Sequence, residues 1–181
     1  VICIVGLGHS ERDFAAFGEA SAPEIRARQL DEGLEILAGL WTGDPFSFTG
    51  EHYTLNQVTL PARPVQSPRI PLWVVGGWPR RAPFRRAAHW DGVCLKAIHH
   101  ETNAWLTLDE FRAALSYTQA HRTSGTPFEV VMSGETPTDQ TQAREIVRPF
   151  QEAGATWWVE GGYGFTLEEF RDRIRSGPPR P

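Results

Sequence analysis

The sequence has one methionine, Met132, and one lysine, Lys96, in 181 residues. Arginine therefore carries nearly all of the positive charge. A net charge of −4 excludes the global basic surface expected of a nucleic-acid-binding chain. Cysteine is scarce as well: Cys3 and Cys94 are the only two, and no C-x-x-C pair exists, which excludes the common zinc and dithiol redox motifs. Both lie in apolar runs and are expected as buried, reduced thiols. No apolar run approaches the roughly 20 residues that span a bilayer, and no signal-peptide pattern is visible. The expectation is a cytoplasmic protein with neither a membrane nor a nucleic acid as partner. No initiator methionine precedes Val1, and the chain opens inside the apolar run Val1-Ile2-Cys3-Ile4-Val5, from which a missing upstream portion is expected.

What is present is a regular alternation. Apolar runs predict strands near residues 1–5, 71–76, 92–96, 128–133 and 156–159. Between them lie amphipathic helices. Ser21-Ala22-Pro23-Glu24 has the form of a capping box ahead of Ala27, Leu30, Leu34, Leu37 and Trp41, and Thr42-Gly43-Asp44-Pro45 stops that helix. Further helices are predicted over Arg80 to Trp90, after Thr107-Leu108-Asp109-Glu110, over Asp139 to Ala153, and after Thr166-Leu167-Glu168-Glu169. Phe46-Ser47-Phe48 and Tyr53-Thr54-Leu55 flank a turn and predict a hairpin, and a proline-rich connector follows from Pro61 to Pro71.

Continuous apolar strands separated by helices mean βα units on a parallel sheet, either doubly wound or part of an eight-stranded barrel. Both architectures bind ligands at the C-terminal ends of the strands, where Gly6, Gly8, Gly76, Gly77, Gly134, Gly161 and Gly162 fall. Gly76-Gly77-Trp78-Pro79-Arg80-Arg81 reads either as a phosphate cradle, with exposed amides and two arginines, or as a turn with solvated arginines. Gly6-Leu7-Gly8-His9-Ser10-Glu11 lacks the third glycine of a dinucleotide fingerprint and reads better as a strand-end turn that places Glu11 near a ligand. His99-His100-Glu101 has no third ligand at a recognisable spacing, so no metal site is expected. Trp157-Trp158 puts one ring on each face of a strand, with core packing as the expected role of both.

Several segments together resemble the bacterial-luciferase-like flavin-dependent oxidoreductases. They are Gly6-Leu7-Gly8-His9-Ser10-Glu11 running on to Phe17-Gly18; Arg26 to Leu37 with Leu40-Trp41-Thr42-Gly43; Phe48-Thr49-Gly50-Glu51-His52-Tyr53; Pro64 to Gly77 with its Pro71-Leu72-Trp73-Val74-Val75-Gly76-Gly77 end; and Arg85-Arg86-Ala87-Ala88-His89-Trp90-Asp91-Gly92. The resemblance implies an α/β fold: a partial TIM (β/α)8 barrel lacking the first three βα units, as a single domain over residues 1–181 with a hairpin insertion at about 42–70. It implies FMN or a deazaflavin (coenzyme F-420) as cofactor, a small organic substrate, and an oxidoreductase or monooxygenase reaction. A flavin-binding protein without turnover, or an inactive truncated remnant, is the alternative. Carried over by position, Leu7, Gly8 and His9 approach the cofactor, Gly76, Gly77, Trp78 and Arg81 hold its phosphate, and Glu11 stands at a catalytic position. Because strand edges left bare invite pairing, a homo-oligomer is expected.

Overall fold

The computed structural model describes residues 1–96, 105–161 and 165–178. The chain divides into two compact units, Val1–Pro71 and Leu72–Pro181.

In the first unit the strand β1, Cys3–Val5, is shorter than the apolar run that predicts it. The Cys3 amide donates to the Pro71 carbonyl at 2.9 Å, and the Gln66 side chain donates to the carbonyl of Val1 at 2.8 Å, so the proline-rich connector supplies partners for the chain's beginning. A tight π-type turn, Ser10–Phe14, and a 3₁₀ turn, Ala15–Phe17, follow, closed by Gly18 in the left-handed region. Helix α1 covers Pro23–Leu40. The capping box expected from Ser21 does not form: the cap residue is Ala22, and no side chain bonds to it. Pro23 at the first helical position has a preset φ and no N–H to satisfy, so the helix starts one residue later than the motif suggests.

The hairpin is present, as β2, Phe46–Thr49, and β3, Thr54–Val58, paired antiparallel with Phe48 opposite Leu55. Its turn is held by a carboxylate from α1. Glu32 accepts from the amides of Glu51, His52 and Tyr53 at 2.8 to 3.2 Å. Gly50 leaves room for this carboxylate, since a Cβ would lie 2.4 Å from Glu32 Oε2.

The second unit carries four parallel strands, β4 Leu72–Gly76, β5 Gly92–Leu95, β6 Glu129–Gly134 and β7 Trp157–Glu160, paired in that order. Four helices accompany them: α2 Ala82–Ala87, α3 Leu108–Ala120, α4 Gln140–Glu152 and α5 Leu167–Ser176. Thr107 with Glu110 and Thr166 with Glu169 form reciprocal capping boxes, and Asp139 caps α4. Helix α2 is much shorter than the expected span from Arg80 to Trp90. Pro83 fits only its first turn, and after Ala87 the chain goes on in three-residue turns, with the amides of His89 and Trp90 bonding to Arg86 and Ala87.

One side of the sheet carries the core: Leu72, Val74, Val93, Leu95, Val130 and Met132 pack with Phe84, Phe111, Ala114, Leu115 and Val147, all under 6% exposed. On the opposite side Trp73 and Trp157 lie with ring centroids 5.7 Å apart, and Gly92 leaves room for the Trp73 indole. Val75, Trp157 and Val159 on that side remain exposed. Trp157, at 50% exposure, is therefore not the core residue expected from the sequence. The described strands form no closed barrel.

Candidate functional site

Two loops carry the residues singled out from the sequence, one in each unit. In the first, Leu7, Gly8 and His9 form the turn after β1. Gly8 has φ +67°, and a Cβ there would lie 2.8 Å from the Phe14 ring, so both backbone and packing require glycine. The His9 amide donates to Asp13 Oδ2 at 2.8 Å, and His9 Nδ1 accepts from the Arg12 amide at 3.2 Å. That bond commits Nδ1 to its own turn as the acceptor, so in the neutral ring Nε2 carries the proton. Asp13 is held below the usual carboxylate range, first by the Arg12 guanidinium bonded to it and then by the His9 amide. Glu11 is exposed on the same turn.

Sequence reasoning missed the residue that fixes this loop. Arg26, 8% exposed on α1, donates through Nη2 to the Leu7 carbonyl, and its guanidinium lies over the Phe14 ring, 2.9 Å from the centroid. Its separation of 19 residues from Leu7 is not readable from local pattern.

In the second unit Gly76 ends β4, and Gly77, Trp78 and Arg81 follow it. Gly76 is explained by packing, since a Cβ would meet the Phe84 ring at 3.0 Å. Trp78 packs on the edge of Phe84, centroids 5.6 Å apart, and approaches Tyr117 of α3 at 6.2 Å. The Arg81 guanidinium lies 5.3 Å from the Tyr117 ring centroid, and Arg85 Nη1 reaches the Tyr117 hydroxyl at 3.4 Å. Gly77 has neither constraint: its nearest described neighbour would be the Lys96 side chain, 3.9 Å from a Cβ.

At the C-terminal ends of β6 and β7 a charged cluster joins the loops. Glu160 accepts from the Thr136 amide at 2.6 Å and from the Trp158 indole at 2.9 Å, and pairs with Arg173 at 3.2 Å. Arg173 also donates to the carbonyl of Pro137 and to the Thr136 hydroxyl. Every partner is satisfied, so this cluster pins α5 rather than offering a reactive group. Beside it lies a cavity of ≈ 240 Å³ lined largely by Leu106, Met132, Ile146, Phe150 and Trp158.

Cys3 and Cys94 are free thiols, half-buried rather than buried as expected. Burial pushes the Cys94 thiol up to about 11, which removes it as a nucleophile near neutrality. Among the described residues no group of three His, Cys, Asp or Glu side chains could hold a metal ion. His99, His100 and Glu101 lie outside the described residues, as does Gly162. No helix among the described residues is long and apolar enough to cross a membrane.

The family model for luciferase-like monooxygenases matches residues 1–174. The chain belongs to this family. Among curated relatives, the F420-dependent glucose-6-phosphate dehydrogenase of Gordonia bronchialis is 32% identical over 92 residues, 50% of this chain and 27% of that one. The FMNH(2)-dependent dimethylsulfone monooxygenase of Pseudomonas putida is 38% identical over 70 residues, 38% of this chain and 19% of that one. The aligned stretches thus span less than a third of either relative. Of solved structures, an F420-dependent secondary alcohol dehydrogenase in complex with an F420-acetone adduct superimposes with a TM-score of 0.67 at 14% identity, covering 97% of this chain and 69% of that one. At that identity the likeness establishes the luciferase-like α/β fold alone.

Proposed function

We propose that the chain is the C-terminal part of a flavin-dependent oxidoreductase: a partial barrel lacking the first three βα units, with residues 1–181 as one luciferase-like domain and the hairpin as its insertion. In this reading a hydride or electron pair passes between reduced FMN or a deazaflavin and a small organic substrate. The observation that carries it is Gly77. Neither its backbone angle nor its described neighbours call for glycine, yet it stands at the C-terminal end of β4, where such folds receive phosphate. A Cβ would project into space that a bound group can use, so the residues present fit a phosphorylated cofactor.

Gly76 and Gly77 would present backbone amides to the phosphate, with Trp78 and Arg81 beside them. Leu7, Gly8 and His9, braced by Arg26, would approach the cofactor, and Glu11 would stand near the reacting ring. The bound cofactor supplies the redox chemistry, and the protein's part is to orient it and exclude water. The family membership and the cofactors named for the relatives support this reading. A second reading is cofactor binding without turnover. It is favoured by the open side of the sheet, where Trp157 and Val159 are 50% and 47% exposed and water would reach a bound ring. Self-association that covers bare strand edges remains part of the proposal.

Absorption titrations of the chain with FMN and with the deazaflavin test the first requirement. Saturable binding of either supports the proposal, and turnover of reduced cofactor with an acceptor separates the two readings. Binding of neither would restrict the activity to a longer relative.

A further inference from the structure

The glycines at the strand ends of the second unit separate into two kinds. A Cβ would meet Phe84 at 3.0 Å from Gly76, Trp73 at 2.7 Å from Gly92, Trp158 at 2.4 Å from Gly134 and the Gly134 carbonyl at 3.3 Å from Gly161. Packing accounts for all four. Gly77 is different: its φ is not in the left-handed region, and a Cβ would meet no described atom closer than the Lys96 Cδ at 3.9 Å, with Lys96 Cβ at 4.0 Å. The space in front of Gly77 is therefore bordered by the stem of the chain's single lysine.

Lys96 is set there by the sheet. It follows β5 directly, and its amide donates to the Gly76 carbonyl at 2.8 Å, which locks its Cα beside the Gly76-Gly77 turn. The residue is exposed, and no described acidic side chain forms an ion pair with its ammonium group. Arg81, four residues after Gly77, is instead drawn over the Tyr117 ring of α3, and Arg85 bonds to the same tyrosine. A lysine differs from these arginines in kind. It is a compact point charge on a flexible stem, able to follow an anion into a gap that a planar fork would not fit.

We infer that Lys96 provides the principal counter-charge for the cofactor's phosphoryl group at Gly77, with Arg81 in a secondary place. The inference rests on the flavin reading above and extends it to a residue that the sequence motifs do not single out. An ammonium beside a phosphoryl group forms a charge-assisted hydrogen bond, and glycine at 77 keeps the approach clear.

The single lysine makes the test direct. Full-length chain labelled with ¹³C and ¹⁵N on lysine gives one side-chain signal, followed while FMN, riboflavin or inorganic phosphate is added. Flavin affinity is read separately by flavin fluorescence. The expected result is that FMN moves the Lys96 signal and riboflavin, which lacks the phosphate, does not. Lys96→Gln should weaken FMN binding about tenfold or more while leaving riboflavin binding unchanged, and Lys96→Arg should restore only a small part of the loss, because its planar fork fits the gap poorly. Arg81→Gln should weaken FMN binding less than Lys96→Gln. If FMN binds while the signal stays still, and Lys96→Gln binds it like the parent, the inference fails and the flavin reading stands. If neither FMN, riboflavin nor the deazaflavin binds, inorganic phosphate decides. A saturable shift of the Lys96 signal keeps an anion site at Gly77 and removes the flavin reading; no shift overturns both.

Discussion

Each of the two units of the chain is stabilised internally by different physics. Among the described residues of the first unit, Leu34 is the one apolar side chain that is fully buried, whereas the second unit buries a continuous set from Leu72 through Val147. The first relies on polar anchors. Glu32 gathers the hairpin amides, Arg26 grips the Leu7 carbonyl, and Arg28 and Arg63 pair with Glu51 and Asp44. Apolar burial is non-directional and insensitive to pH, while bonds to carboxylates depend on charge state and geometry. The contrast teaches where each loop gets its rigidity: the Gly76–Arg81 loop stands on a packed core, and the Leu7–Glu11 turn stands on hydrogen bonds.

The sharpest way to break this comparison is Phe84→Ala. Phe84 is fully buried against Gly76 and Trp78, and its removal should cost about 3–5 kcal/mol. Urea unfolding followed by tryptophan fluorescence reports it well, because Trp41 is the only tryptophan of the first 71 residues. A loss below about 1 kcal/mol would mean that the second unit's core does not hold the loop. Gly8→Ala comes next. Forcing a side chain into the left-handed region at φ +67°, against the Phe14 ring, should cost about 1–2 kcal/mol and disorder the turn, seen as faster amide exchange at His9 and Asp13. An unchanged exchange pattern would remove the requirement for glycine there.

The smallest effect is a pH dependence confined to the hairpin. Burial alone would raise the Glu32 carboxyl, but the amides of His52, Glu51 and Tyr53 outweigh it and hold the group below the ordinary glutamate range. A depressed folded-state value means that the stabilisation is complete above the unfolded-state value and is lost as pH falls through the folded one. Hairpin amide shifts should therefore stay constant near neutrality and change only on acidification below the usual carboxylate range. Glu32→Gln should abolish that acid transition while the β4–β7 amides of the second unit stay unchanged. A matching acid transition in those strands would erase the distinction between the units.

Much of the second unit was legible in the sequence. Leu72-Trp73-Val74-Val75 and Gly92-Val93-Cys94-Leu95 read as buried parallel strands because both of their faces are apolar, and Thr107 and Thr166 announced their helices through Glu110 and Glu169. Helix α2 was overextended, since the period of Phe84, Ala87 and Ala88 does not show where tighter turns take over. The candidate site was legible only in its glycines. The Leu7–Arg26 bond, the Glu32–Tyr53 bond and the Gly77–Lys96 approach link residues some 19 to 21 positions apart, and no local pattern encodes such contacts. Trp157 departs from its expected core role for a related reason: strand alternation gives the face of a ring but not what covers that face.

The central claim is that the end of β4 receives the phosphate of a flavin-type cofactor. It is tested most directly by titrating FMN and riboflavin into the chain and into Gly77→Val. Gly77 has room for a side chain, so circular dichroism and unfolding of the variant should match the parent. The account predicts that the parent binds FMN more tightly than riboflavin, and that Gly77→Val loses this preference because its branched side chain occupies the phosphate's approach. Equal binding of FMN and riboflavin by the parent, or an undiminished preference in Gly77→Val, would contradict it.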